Sequence, residues 1–185
     1  MSTFLLLLLI GLLVMVYPAL RAAARTYFRF RGTRVITCPQ TGRPAAVEVD
    51  SRLAARTASL SRPFLQLEQC SRWPERQDCG QWCLPQIESA PEDCLVRAML
   101  IKWYEGAPCA FCGRAISPIH WADHKPALLT PARITVGWDV VAPEDLPEAL
   151  ETHLPVCWDC HIAESFRVRF PDLVLDDPRP ARRAG

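Results

Sequence analysis

The residues best equipped for chemistry lie between Cys109 and His161. Two Cys-x-x-Cys pairs, Cys109/Cys112 and Cys157/Cys160, bracket this stretch, and all four histidines (His120, His124, His153, His161) fall inside it. Two such pairs can hold one tetrahedral zinc ion through four thiolates. Gly113 follows the first pair, where a tight turn presenting two sulfurs from one loop favours a residue that accepts positive φ. Disulfides or buried thiols would use the same residues, but the paired spacing favours a metal. The 44 residues between the pairs leave room for a β-hairpin and a short helix.

A second group is less regular. Cys70, Cys79 and Cys83 fall close together, and Cys38 begins Cys38-Pro39-Gln40-Thr41-Gly42. Cys38 stands where the first sulfur of a knuckle would stand, with Thr41 in the second position. The four cysteines could form a second four-sulfur site, or they could serve as small apolar core residues. Over residues 34–84 the arrangement resembles small bacterial zinc-binding modules of unassigned function. Cys94 reads as a core residue in the first turn of a helix and belongs to neither group.

Knuckle, hairpin, then a helix beginning at the second Cys pair is the order of a treble-clef zinc fold. Cys109-x-x-Cys112, Asp123-His124-Lys125-Pro126 and Cys157-x-x-Cys160-His161 together resemble the zinc-stapled form of the HNH endonuclease family. The resemblance implies four structural cysteines, His124 as the general base that activates water, and Asp123 and His161 around a catalytic divalent metal. Two departures weaken the activity it implies. The family's middle asparagine falls at Thr152, beside His153, and its later lysine falls near Ser165 and Arg167. A fold does not carry its function with it. The first reading is therefore a structural zinc scaffold for interaction, and the metal-dependent nuclease is the alternative. A second alternative uses Cys157-Trp158-Asp159-Cys160-His161 as a c-type haem attachment motif with His161 as axial ligand. It would strand Cys109 and Cys112 and conflicts with the sidedness argued next.

Phe4 to Leu20 reads FLLLLLIGLLVMVYPAL, enough with Ala22 to Ala24 to span a bilayer. No charged side chain precedes the run, which argues for an uncleaved anchor over a secretory signal. Arg21, Arg25, Arg29, Arg31 and Arg34 follow it with no acid among them. Positive flanks stay cytoplasmic, which places the rest of the chain in the cytosol of a bacterial inner-membrane protein. Thiols stay reduced there, which favours metal ligation. From Val35 onward 16 basic residues face 20 acidic ones, so no general attraction to nucleic acid is expected. The expected partners are the membrane and another protein. No P-loop, dinucleotide glycine pattern or Ser-His-Asp order appears.

The remaining elements must position the sulfurs. Two β-branched runs flank Pro39 to Gly42 as a hairpin, and residues 51–62 read as a short helix or linker. Ser89-Ala90-Pro91-Glu92 reads as a capping box opening a helix that is apolar nearly all round and ends near Gly106. Residues 134–141 alternate as a strand, 143–152 suggest a short helix, and 161–170 another. The organisation expected is α+β: an anchor over 1–24, a basic linker over 25–33, a Cys-rich hairpin module over 34–88, a helix with an HNH-like treble-clef zinc domain over 89–175, and a disordered tail over 176–185. The whole chain resembles bacterial membrane-anchored Cys-rich proteins of unassigned activity.

Overall fold

The computed structural model describes residues 2–58, 62–73, 75, 78–119 and 125–173. Helices mix with two small antiparallel sheets. The chain divides into two compact units, one of residues 1–102 and 141–149, the other of 103–140 and 150–185.

The first unit begins with helix α1, Ser2–Phe30. Within its stretch Leu5–Phe30 an 18-residue window reaches a mean hydropathy of 2.3, and the stretch is long and apolar enough to cross a membrane. At about 1.5 Å per residue it outreaches a hydrocarbon core about 30 Å thick. The helix does not stop where the apolar run stops. Arginines are good helix formers, so it continues through Arg21, Arg25 and Arg29 to Phe30, which is buried in the core of the unit. Its last carbonyls meet Arg34, the one buried charged residue among those described. Arg34 donates from Nη1 to the Phe30 oxygen (2.6 Å) and the Gly32 oxygen (2.8 Å), and from Nη2 to the Arg29 oxygen (2.6 Å). A cation at a helix C-terminus satisfies orphan carbonyls and opposes the negative end of the helix dipole.

Strands β1, Arg34–Thr37, and β2, Pro44–Val49, form the expected hairpin, paired from Arg34↔Val47 to Thr37↔Pro44. Strand β3, Leu67–Cys70, adds to β2, with a register shift at Glu48/Val49. Helix α2, Ser51–Ala58, starts where Asp50 accepts the Leu53 N–H at 2.8 Å, and it packs on α1. Ile36, Ala45, Val47, Val49, Ala54, Leu67 and Ile87 build the core with Phe30.

The capping box expected at Ser89 does not form. Helix α3, Leu84–Ser89, ends there, and α4 begins only at Val96 and runs to Tyr104. Pro91 disfavours helical geometry at Ala90, whose φ is −139°. The freed stretch pairs with the chain around β1 instead: Val35 N donates to Cys94 O (2.8 Å), and Val96 N to Thr33 O (3.1 Å). Cys94 therefore precedes the helix, against the same core. Nor is α4 buried all round. Leu100 and Tyr104, four apart, are buried, while Ile101 is exposed.

In the second unit β4, Ala127–Leu129, lies between β5, Thr135–Gly137, and β6, Leu154–Val156. The strand expected over 134–141 is shorter because β4 offers only three residues to pair with. Trp138–Val140 turn into a 3₁₀ segment, and Ile134 and Val140 are exposed. The helix expected over 143–152 is a 3₁₀ turn, Pro143–Asp145, followed by α5, Leu146–Thr152, and of this stretch residues 143–149 belong to the first unit. Helix α6 covers Trp158–Arg169, opening between the two cysteines of the second pair. The expected tail, 176–185, lies outside the described residues.

Candidate metal centre

The first sulfur pair sits at the tip of a short hairpin. Ile116 N donates to Ala107 O (2.9 Å), Cys109 N to Arg114 O (2.8 Å), and Gly113 N to Cys109 O (2.9 Å). Gly113 has φ +71°, the left-handed conformation the turn requires. The knuckle is tied to β6 by Ala110 N donating to Pro155 O at 2.8 Å. The second pair straddles the start of α6, with Cys157 as its N-cap residue and Cys160 in its first turn. Cys157 N donates to the Cys109 sulfur at 3.3 Å.

These elements bring Cys109, Cys112, Cys157 and Cys160 together, their four sulfurs all within 4.8 Å of one another. The Cys112 and Cys157 sulfurs are 3.9 Å apart. Tetrahedral sulfurs bound to zinc at about 2.3 Å would stand about 3.8 Å apart, so the donor set fits a thiophilic ion. The charge balance points the same way. Backbone and guanidinium N–H groups of Arg114 hold the exposed Cys112 thiol down to about 6, so it is a thiolate at neutral pH. Cys109 is also lowered: its burial is outweighed by backbone N–H groups of Cys112, Cys157 and Phe111. Burial and the neighbouring sulfurs push Cys160 well up, and burial raises Cys157. Four such sulfurs cannot all ionise against one another unless a cation sits among them.

Gly113→Ala tests the knuckle. A Cβ there meets no atom within 4 Å, so the cost is conformational alone. A left-handed alanine costs about 1–2 kcal/mol, which should weaken metal binding roughly five- to thirtyfold in chelator competition. Unchanged affinity would mean that the turn does not set the sulfurs.

The other named residues are distributed unevenly. Asp123 and His124 lie outside the described residues, as does His120. His161 is half-buried on α6, with Nδ1 3.5 Å from the Ser165 hydroxyl, and burial lowers its pKa. His153 Nδ1 lies 2.9 Å from the Thr152 hydroxyl. Cys38, Cys70, Cys79 and Cys83 line one cavity in the first unit. Among the described residues, the group whose ligand atoms all fall within 4.8 Å is the one at 109, 112, 157 and 160. Sequence reasoning missed Arg114, which fastens Cys112 and also approaches Asp159 on α6 at 3.6 Å. A basic residue two positions after a knuckle cysteine was the available signal.

Comparison with models of known families, with curated proteins and with solved structures finds no match for this chain. The observations define a cysteine-rich chain with a candidate four-sulfur metal site and one candidate membrane helix.

Proposed function

We propose that this is a single-pass membrane protein whose second unit is folded on one structural zinc ion and acts as an interaction module on the cytoplasmic face of a bacterial inner membrane. The convergence of four sulfurs from a knuckle and a helix start carries the reading. Knuckle, β4–β5 hairpin and α6 follow one another in the order of a treble clef. The five arginines after the apolar run support the sidedness. Ile162 and Phe166, four apart on α6 and exposed, with the Phe170 ring 5.0 Å from that of Phe166, support a protein partner. A c-type haem would draw Cys157 and Cys160 away from the two sulfurs they approach.

The test pairs composition with topology. Detergent-purified full chain should carry zinc, one equivalent of which is lost on Cys112→Ser, and a C-terminal alkaline phosphatase fusion should be inactive. Disulfide-bonded cysteines with an active phosphatase fusion would overturn the reading. Covalent haem absorbance would replace zinc by the redox alternative. The nuclease alternative has one observation in its favour, a half-buried imidazole at His161, next to Cys160, whose pKa burial lowers. It predicts Mg²⁺- or Mn²⁺-dependent DNA cleavage that His124→Ala abolishes.

A further inference from the structure

The first unit repeats the local plan of the sulfur centre. Cys38 N donates to Arg43 O (2.9 Å), and Gly42 N donates to Cys38 O (2.8 Å). The corresponding bonds at 109–114 are Cys109 to Arg114 and Gly113 to Cys109, at 2.8 and 2.9 Å. Gly42 has φ +66°, against +71° at Gly113. The turn of Cys38-Pro39-Gln40-Thr41-Gly42-Arg43 is thus a knuckle in its backbone, with a hydroxyl at Thr41 where Cys112 has a thiol. Cys83 immediately precedes α3, as Cys157 immediately precedes α6.

The side chains complete the parallel. Cys38, Cys70, Cys79 and Cys83 line one small cavity of ≈ 20 Å³, about the room of a single water-sized occupant. Cys70 reaches it from the end of β3. Gln81 N donates to the Cys79 sulfur at 3.4 Å. Cys83 belongs to the apolar core, and Cys38 and Cys70 pack against it. Core packing alone accounts for their burial. It does not account for a shared cavity, for a backbone donor aimed at the Cys79 sulfur, or for a knuckle turn under the first.

We propose that Cys38, Cys70, Cys79 and Cys83 hold a second thiophilic divalent cation, on a knuckle where Thr41 has replaced one sulfur and Cys70 supplies the missing ligand from β3. An all-thiolate set selects zinc over hard cations such as magnesium or calcium. They do not form a close group like that of the first centre among the described residues, so binding requires them to close on the ion, as small metal-coupled sites do.

Metal counting on the full chain decides it. The protein, purified in detergent under reducing conditions, is loaded with zinc, desalted and analysed by elemental mass spectrometry. Two equivalents are expected, one lost in Cys79→Ser and the other in Cys112→Ser. A single equivalent that Cys112→Ser removes and Cys79→Ser keeps overturns the second site and leaves the first standing. A single equivalent with the reverse pattern upholds the second site and overturns the first. Because Cys79→Ser could disturb folding, cobalt titration of the wild type gives an independent reading. Sulfur-to-cobalt charge-transfer absorption should grow through two equivalents, and growth that stops at one in the wild type and is abolished by Cys112→Ser overturns the proposal.

Discussion

Cys157→Ser is expected to empty the four-sulfur centre and release α6 in one step. Among the described residues, that helix otherwise rests only lightly on β5 and on the 3₁₀ turn that follows it. None of the residues of α6 is fully buried, and Ile162, Phe166 and Val168 are exposed along it. Among the described residues the buried apolar side chains of the unit are few: Tyr104, Ile116, Ala127, Leu128, Leu129 and Val156, with the Cys109 side chain. A core of this size contributes only a few kcal/mol net, whereas structural zinc in small units contributes about 10–16 kcal/mol at neutral pH. Serine is nearly isosteric with cysteine, so packing changes little and the lost thiolate dominates. Hydrogen exchange should show α6 amides unprotected in the variant and in chelator-stripped wild type, while β1 and β2 keep their protection. Persistent protection of α6 in metal-free Cys157→Ser would show that the helix is held by something other than the ion.

Arg34→Ala is the second large effect, and it acts in the other unit. Arg34 is wholly buried, and besides its bonds to Arg29, Phe30 and Gly32 it donates from Nε to the Pro91 oxygen at 3.3 Å. One side chain therefore joins the end of α1, the start of β1 and the break between α3 and α4. Hydrogen bonds from a charged donor contribute about 1.5–3 kcal/mol each, and carbonyls left buried without partners add a penalty. These terms are not additive, but a loss of roughly 3 kcal/mol or more follows. Protection of the β1 and β2 amides should then fall by about a hundredfold. Arg34→Lys keeps the charge and loses the planar fork, so an intermediate loss is expected. Full protection in Arg34→Ala would mean that the α1 terminus is held by packing of Phe30 alone.

Much of the sulfur centre was legible in the chain itself. Cys-x-x-Cys followed by glycine encodes its own turn, because the bonds that close it join residues only four or five positions apart. The hairpin at Pro39 to Gly42 is local in the same sense. The helix expected from Ser89 shows the opposite case. Its capping pattern was present, yet Thr33 and Val35, some sixty residues earlier, captured the backbone of 94–96. The alternating residues 134–141 likewise met a partner strand too short to use them.

Residue types and spacing by themselves determined an apolar helix at the start of the chain, a basic flank, and two sulfur pairs able to meet. Those features depend on composition and short-range geometry, which the amino-acid order states directly. Only the tertiary structure decided that Cys109 and Cys112 meet Cys157 and Cys160, and that Cys38, Cys70, Cys79 and Cys83 share a cavity. It also decided that Arg34, one of five arginines in the basic flank, is buried at the end of α1 rather than solvated. The reason is the same in each case: these are contacts between residues far apart in the chain, and they exist only once the intervening backbone has packed.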